Sequence, residues 1–441
     1  MIRIQWNYLV LLLLLLIVAI ICDQSFTTTI LNEPPYKLIQ SSSSSSISAE
    51  RNFFGKNFTT IKEAIDDGEN FIEQTIGKLG LPSLVFGLAH RGRLIYNHSW
   101  GVLDVENPTT TTTTNADMNS HYRICSISKT FTSAYIGRLV DQGRLTYNTT
   151  VNEILKYFPN KQWQNKTVNL TIGQLLSHTA GTRKTNLNDF DDIVKNIDSQ
   201  STIVRKFAND PLMFEPGTDW SYSNYGFQIL GSIIETMENK SFSMVMNNFL
   251  RQYGLNNSVV ETNDLILSNR ARYFRRMDVT NYVDHRLIPT SKLDDSLIYE
   301  GYYAAGGILS TVGDLLKWGQ LMLDAFNGRP ESTILKSETV KTMWKSHSKN
   351  LSDIGAPGSG QHYGYGWFIS NLTNSENSIL QYKDYIWHSG GLTGTSTMLM
   401  IQPKSEFVGI AMTNEGNTLG LDTMIAYMIE NVAEFIINSN N

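Results

Sequence analysis

The sequence contains little cysteine and little net charge. Its two cysteines are Cys22 and Cys125. Removal of an N-terminal leader would leave only the second, so we expect no intramolecular disulfide. The formal net charge is −5 and the isoelectric point about 5.9, which argues against a nucleic-acid partner. The densest basic cluster, within residues 270–276, is interpreted as a solvated face.

Several motifs that would indicate a cofactor or another class of hydrolase are also absent. The eight histidines show no metal-ligand spacing, and there is no His-Glu-x-x-His motif. The chain has neither a Gly-x-Ser-x-Gly elbow nor a phosphate-binding glycine loop. We therefore expect no metal site and no cofactor. Apolar residues make up 41% of the chain, enough for a sizeable core.

A short apolar run lies at the N-terminus. Residues 9–22 are Leu, Val, Ile, Ala and one Cys, and Arg3 precedes them. The run suits a signal peptide and is shorter than the roughly 20 residues of a spanning helix. Residues 20–22 form a poor cleavage site, so residues 1–22 are interpreted as a signal peptide or, alternatively, a retained signal anchor. The segment lacks the arginines of a mitochondrial transit peptide.

Residues 23–56 are rich in serine, with a continuous serine run at 41–46 and Pro34-Pro35 before it. Such a segment cannot bury enough apolar surface to fold, so we predict a disordered linker. Asn-x-Ser/Thr sequons follow along the chain and fit a secreted or luminal protein, although a chain rich in these residues contains several by chance. The glycosylation candidates are Asn57, Asn97, Asn148, Asn165, Asn169, Asn239, Asn256, Asn350 and Asn371.

Hydrophobic periodicity places strands near both ends of the chain and helices between them. The predicted terminal elements are helices at 60–78 and 421–437 and strands at 84–89, 93–96, 385–387, 397–402 and 407–413. The first two strands are joined by a tight turn at Arg91-Gly92. Residues from about 150 to 350 show a mainly helical pattern, including a helix at 315–323 that follows Thr311 and Asp314, a capping-box-like start.

We therefore predict one α/β (α+β) domain over residues 57–441. An antiparallel sheet formed from both termini would be flanked by the first and last helices. A mainly helical region would be inserted at about 145–350. The active site would lie in the cleft where these parts meet.

Ser126 and Lys129 open a helix with apolar residues every four positions, at 127, 131, 135 and 139. Positions i and i+3 share a helical face, so an amine lies beside a hydroxyl. Serine is a poor nucleophile until a base takes its proton. A second Ser-x-x-Lys at 346–349 lies in a polar stretch and is interpreted as a loop. Cys125 is interpreted as a small buried residue behind the helix.

Two later motifs could complete the site. Tyr222-Ser223-Asn224 is the only Tyr-x-Asn and lies in a turn-rich loop before a helix at 227–235. His388-Ser389-Gly390-Gly391 follows the strand around Ile386. This ordered set resembles the serine β-lactamase and penicillin-binding-protein superfamily. It is most similar to the class C-like, peptidase S12-like branch that includes the mitochondrial serine β-lactamase-like proteins of animals. Residues 175–181, 215–217, 306–315 and 387–391 support the resemblance.

The resemblance implies a β-lactamase/DD-peptidase-like fold in which Ser126 forms an acyl-enzyme. Either Lys129 or Tyr222 could be the base, since a shared cleft is expected to lower the pKa of both. Asn224 would orient Lys129 and the substrate amide. The backbone N–H groups of Ser126 and Gly391, next to Gly390, would hold the oxyanion.

His388 departs from the family pattern, which usually has lysine at this position. Histidine is a weaker, pH-dependent cation, so we expect a peptidase or an amidase/esterase rather than an antibiotic-degrading β-lactamase. The expected partner is a peptide or small acyl substrate, with membrane contact only if the N-terminal segment is retained. The alternative is a catalytically silent relative that binds or assembles into filaments. Location in the mitochondrial intermembrane space, as in the animal relatives, is an alternative to secretion.

Overall fold

A computed structural model describes residues 58–106, 115–184, 199–262, 265–279, 282–289, 302–348, 361–370, 384–392 and 394–439. The predicted leader and linker, with Asn57, Asn350 and Asn371, lie outside these residues. The helices are α1 (Ile61–Leu79), α2 (Ser128–Asp141), α3 (Val151–Ile154), α4 (Ile172–Leu176), α5 (Gln200–Phe207), α6 (Asn224–Glu238), α7 (Phe242–Gln252), α8 (Tyr303–Gly306), α9 (Val312–Phe326), α10 (Ser337–Met343) and α11 (Leu421–Ser439).

The strands are β1 (Ser83–His90), β2 (Arg93–Gly101), β3 (Tyr122–Arg123), β4 (Lys161–Trp163), β5 (Lys166–Val168), β6 (Val259–Val260), β7 (Phe274–Val279), β8 (Tyr282–Pro289), β9 (Ile308–Ser310), β10 (Gln361–Tyr363), β11 (Phe368–Ser370), β12 (Tyr385–Leu392), β13 (Thr395–Gln402) and β14 (Phe407–Thr413). Arg91 and Gly92 both have positive φ, 49° and 75°, as a tight hairpin turn requires. This confirms the predicted turn between β1 and β2.

A seven-stranded antiparallel sheet is the centre of the fold, in the order β10-β11-β12-β13-β14-β1-β2. The N-terminal β1 pairs with the C-terminal β14, with Gly87 opposite Ile410. This confirms the predicted sheet built from both ends of the chain. Strands β13 and β14 are buried along their whole length, which explains the short apolar runs at 398–401 and 407–412 in the sequence.

Helices α1 and α11 pack together on one face of the sheet, as predicted. Thr60 begins α1, and its side chain accepts a hydrogen bond from the Glu63 N–H, a standard N-cap. The rings of Phe71 and Tyr427 stack with centroids 4.2 Å apart. Met428 is fully buried in the same apolar cluster.

Helix α9 covers the opposite face, although it lies within the predicted insertion. Two glycines permit its close approach. A Cβ at Gly87 would lie 2.4 Å from Val312 Cγ1, and one at Gly319 would lie 2.4 Å from Val408 Cγ1. The insertion is therefore not wholly separate from the sheet. It also contains short strands: β6 and β9 form a sheet with β3, which lies outside the insertion, and β7 and β8 form a hairpin.

Helix α2 runs through the interior, so its polar residues are buried as well as its apolar ones. The Thr132 hydroxyl donates to the Ala304 carbonyl at 2.8 Å, and the Phe131 ring stacks on Trp318 at 4.1 Å. Buried hydroxyls need such partners.

No helix within the described ranges combines the length and the apolar character that crossing a membrane requires.

Candidate active site

Ser126 lies in a tight turn between β3 and α2. Cys125 has a left-handed backbone with φ 46°, and residues 125–127 form a 3-10 turn before α2 begins at Ser128. Ser126 thus precedes the α-helix in which it was predicted, because the chain tightens at the helix N-terminus. It is partly exposed. Cys125 is buried, and burial raises the pKa of its thiol to about 12, which confirms a packing residue.

The Lys129 amine lies against Ser126 in a fully buried position. Its Nζ is hydrogen-bonded to Ser126 Oγ at 3.1 Å and donates to the Ala305 carbonyl at 2.7 Å. Nζ also lies 4.9 Å from the centre of the Tyr222 ring and 5.5 Å from that of Phe227. Burial holds the pKa of Lys129 well below its ordinary value, which favours the neutral amine at neutral pH.

Tyr222 approaches from the loop before α6. Burial raises the pKa of its phenol, and a hydrogen bond with the Ser126 hydroxyl only partly opposes this. The prediction that a shared cleft lowers both pKa values therefore agrees with the direction for Lys129 and is wrong for Tyr222. The reason is that desolvation penalises the phenolate, just as it penalises the ammonium. Such a Tyr222 is a neutral phenol able to pass a proton.

Asn224 begins α6 beside Tyr222 and is partly exposed. Its Oδ1 is buried and has no hydrogen-bond partner in the part of the chain that the structure describes. The amine of Lys129 instead donates to Ala305, from the segment before β9. Asn224 therefore presents an unused acceptor near the cleft, and its role toward substrate stays a prediction.

His388 lies within β12, is only 1% exposed and is held at both ring nitrogens. Nδ1 lies 2.7 Å from the Ser389 carbonyl, so it carries the hydrogen and donates. Nε2 lies 3.0 Å from the Tyr363 hydroxyl, which donates to it. Burial is the main cause that lowers the pKa of His388 to about 3. The imidazole is thus neutral and supplies no positive charge for a carboxylate.

Gly390 and Gly391 differ in their surroundings. A Cβ at Gly390 would lie 2.1 Å from the Ile124 carbonyl oxygen, whereas one at Gly391 would meet nothing within 4 Å among the described atoms. Gly390 therefore lets β12 pack directly against the turn that carries Ser126. Gly391 is exposed, and its oxyanion role stays a prediction.

Three residues near the site were not assigned a role from the sequence. His178 belongs to a stretch that supports the family resemblance, and Ala305 directly precedes another, but a carbonyl carries no motif signal, and a lone buried histidine carries little. Tyr363 also carries no clear signal in the sequence. It lies in His362-Tyr363-Gly364, which has the same His-x-Gly pattern as the His388 motif, and a pattern that recurs in the chain is weak evidence for a role. Rings of His178, Trp220, Tyr222, Tyr363 and Phe368 form one aromatic wall.

The remaining expectations from the sequence concern the second Ser-x-x-Lys, metal ligands and the sequons. Ser346 is in non-helical chain, as predicted, and Lys349 lies outside the described residues. Within the described ranges, no three His, Cys, Asp or Glu side chains come together as metal ligands. The sequon asparagines that the structure describes are all exposed: Asn97, Asn148, Asn165, Asn169, Asn239 and Asn256.

Comparison with known proteins agrees with this geometry. The family profile described as Beta-lactamase matches residues 69–434. The human "Serine beta-lactamase-like protein LACTB, mitochondrial" is 25% identical over 412 residues, which cover 77% of this chain and 72% of the relative. "Protein flp" of Staphylococcus aureus (strain MRSA252) is 24% identical over 349 residues, which cover 78% of this chain and 62% of the relative.

Solved structures show the same fold. The octameric penicillin-binding protein homologue from Pyrococcus abyssi superposes with a TM-score of 0.66 at 22% identity, covering 85% of this chain and 77% of that one. The D-amino acid amidase from Ochrobactrum anthropi SV3 superposes with a TM-score of 0.63 at 19% sequence identity. The match covers 86% of this chain and 99% of that one. The family match spans the sheet, the insertion and the Ser126–Lys129 pair, and it shows that this chain belongs to the beta-lactamase family.

Proposed function

We propose that this protein is a serine hydrolase that works through an acyl-enzyme on Ser126. The observation that carries the proposal is the buried Lys129 amine 3.1 Å from Ser126 Oγ. Its lowered pKa makes the neutral amine available as a base at neutral pH. Membership of the beta-lactamase family supports serine-hydrolase chemistry at the level of the family.

The first step would form a bond between Ser126 Oγ and the substrate carbonyl carbon while Lys129 takes the hydroxyl proton. The backbone N–H groups of Ser126 and Gly391 would hold the negative oxygen. The tetrahedral intermediate then expels its alkoxide or amine, which receives the proton from Lys129, directly or through the Tyr222 phenol. Water then attacks the carbonyl of the acyl-enzyme and gives a proton to Lys129. The bond to Ser126 Oγ breaks, Lys129 returns the proton to that oxygen, and the acid product leaves.

The cleft favours substrates that need no carboxylate. His388 stands where the resemblance expects a cationic group, yet it is buried, neutral and hydrogen-bonded at both nitrogens. A neutral imidazole offers a carboxylate no attraction in a low-dielectric site. We therefore propose uncharged esters or amides, including peptide amides, rather than β-lactam antibiotics, as substrates.

A fluorophosphonate probe tests the catalytic proposal. The wild-type protein should become labelled on Ser126, and Ser126→Ala should not. Ser346→Ala is the matched control, because it removes the other Ser-x-x-Lys hydroxyl and should leave labelling unchanged. Wild-type labelling no greater than that of Ser126→Ala would overturn the proposal and favour the catalytically silent alternative.

Paired substrates then test the substrate class. An aryl ester with a neutral acyl chain is compared with the same ester bearing a terminal carboxylate. We expect kcat/KM to be higher for the neutral member, with penicillin hydrolysis negligible. A preference for the carboxylate member would contradict the role inferred from His388.

Location and assembly are further proposals. The exposed sequons support a secretory location, whereas the names of the animal relatives support a mitochondrial one. A mobility shift of the native protein on glycosidase treatment would support secretion, and an unglycosylated native protein would argue against it.

Self-assembly is supported by the Pyrococcus homologue, which is described as octameric. Light scattering of the purified protein tests this proposal.

A further inference from the structure

His178 holds the backbone on both sides of Tyr222. It follows α4, is 2% exposed and has a left-handed backbone with φ 59°. Its carbonyl accepts the N–H of Ser221 at 3.0 Å. Its ring Nδ1 accepts the N–H of Ser223 at 3.2 Å. One residue therefore fixes the chain immediately before and immediately after Tyr222.

The same imidazole also lies against the Tyr222 ring. The two ring centroids are 4.3 Å apart, and the Tyr363 ring lies 4.7 Å from His178 on another side. Contact on the ring and at both flanking amides leaves Tyr222 little freedom to turn. The Lys129 amine also lies 4.9 Å from the centre of the Tyr222 ring.

Packing alone does not account for a histidine at position 178. Because Nδ1 accepts a hydrogen bond, the neutral ring carries its hydrogen on Nε2. That buried Nε2 has no hydrogen-bond partner among the residues that the structure describes. An unpartnered buried donor destabilises the fold, so an apolar ring would pack at lower cost. The Nδ1 acceptor is the function that an apolar ring would lose.

We propose that His178 is a positioning residue that holds Tyr222 against Lys129. This rests on the proposed serine-hydrolase function. The titratable groups that face His178 are Lys129, His388, Tyr222 and Tyr363. Burial is the main cause that lowers the pKa of His178 well below its ordinary value. The ring thus stays neutral and its Nδ1 stays an acceptor.

Two substitutions at position 178 test the hydrogen-bond acceptor separately from the packing of the ring. Asparagine and glycine both tolerate the left-handed backbone. His178→Asn offers an amide oxygen near the position of Nδ1, whereas His178→Gly removes the acceptor and keeps the main chain. We expect His178→Gly to lower the second-order rate constant of fluorophosphonate labelling by about 10- to 100-fold, the effect of leaving the Ser223 N–H unpaired. His178→Asn should stay within about threefold of the wild type.

A double-mutant cycle distinguishes positioning from general destabilisation. If His178 acts through Tyr222, then His178→Gly should change labelling by less than about threefold in a Tyr222→Phe background. Hydrogen–deuterium exchange of the peptide that contains Ser223 gives a readout independent of activity. The Ser223 amide should exchange slowly in the wild type and in His178→Asn, and faster in His178→Gly.

The outcomes are distinct. Absent labelling of the wild type would refute the proposed function itself. A labelled wild type with equal losses in both backgrounds, or with His178→Asn as slow as His178→Gly, would overturn the positioning role only. If His178→Gly does not fold, His178→Gln takes its place in the same comparison, because its longer side chain carries the amide past the Nδ1 position.

Discussion

Replacement of Glu261 by alanine tests a buried ion pair that fixes the chain just before Ser126. The Arg123 guanidinium donates to both Glu261 oxygens at 2.9 Å. Their side chains are 1% and 6% exposed. Arg270 contacts the same carboxylate from a more open position, with its side chain 26% exposed. Arg123 also lies 4.4 Å from the centre of the Tyr273 ring.

The contacts give the expected size of the effect. Each charge-assisted hydrogen bond contributes about 1.5–3 kcal/mol, and removing one partner of a buried pair costs about 3–5 kcal/mol. Because Arg123 cannot lose its proton in the folded protein, Glu261→Ala leaves a buried cation without its carboxylate. We expect the free energy of unfolding to fall by about 3–5 kcal/mol.

Guanidinium denaturation followed by tryptophan fluorescence measures this change. The midpoint should move to lower denaturant with the slope unchanged. Arg270→Ala is the matched control. It removes only the outer, partly solvated contact and should cost about 1 kcal/mol or less. If Glu261→Ala lowers the free energy of unfolding by less than about 1 kcal/mol, the view that the Arg123–Glu261 pair is desolvated and essential to the fold is refuted.

Three further predictions concern the site. Because the pKa of Lys129 is depressed, labelling should persist at neutral pH and fall as the pH drops through that lowered pKa; a requirement for pH near 10.5 would contradict this. In the unfolded chain Lys129 binds its proton up to its ordinary pKa, so at neutral pH its burial opposes folding. Lys129→Met should therefore abolish labelling yet raise the thermal midpoint, and a lower midpoint would be the contrary result. Gly390→Ala should destabilise by about 1–3 kcal/mol because its Cβ would lie 2.1 Å from the Ile124 carbonyl oxygen; Gly391→Ala, whose Cβ would meet no described atom within 4 Å, is the control, and equal midpoints would contradict the packing argument.

The terminal sheet could be predicted because its strands have strong local signals. Strands β13 and β14 contain short apolar runs, at 398–401 and 407–412, and Arg91-Gly92 marks the hairpin. The end of β12 could not be predicted in the same way. Residues 388–391 read His-Ser-Gly-Gly and show no apolar alternation, and they are extended because β13 pairs with them.

The candidate site residues could be chosen from the sequence, but their protonation states could not. Ser126 and Lys129 are three residues apart, so local helical geometry brings them together even with Ser126 in a 3-10 turn. Tyr222 and Asn224 were found through the order of motifs. The raised pKa of Tyr222 was not predicted, because it depends on how much of the phenol the surrounding chain buries.

The sequence by itself determined which chemical groups this protein can use: a serine, a lysine three residues on, a Tyr-x-Asn and a histidine in place of a lysine. Only the tertiary structure decided their states. Lys129 donates to Ala305, 176 residues away, and the neutral form of His388 depends on Tyr363 and on burial. Protonation follows from desolvation and from partners distant in the chain, and no local pattern of residues records either.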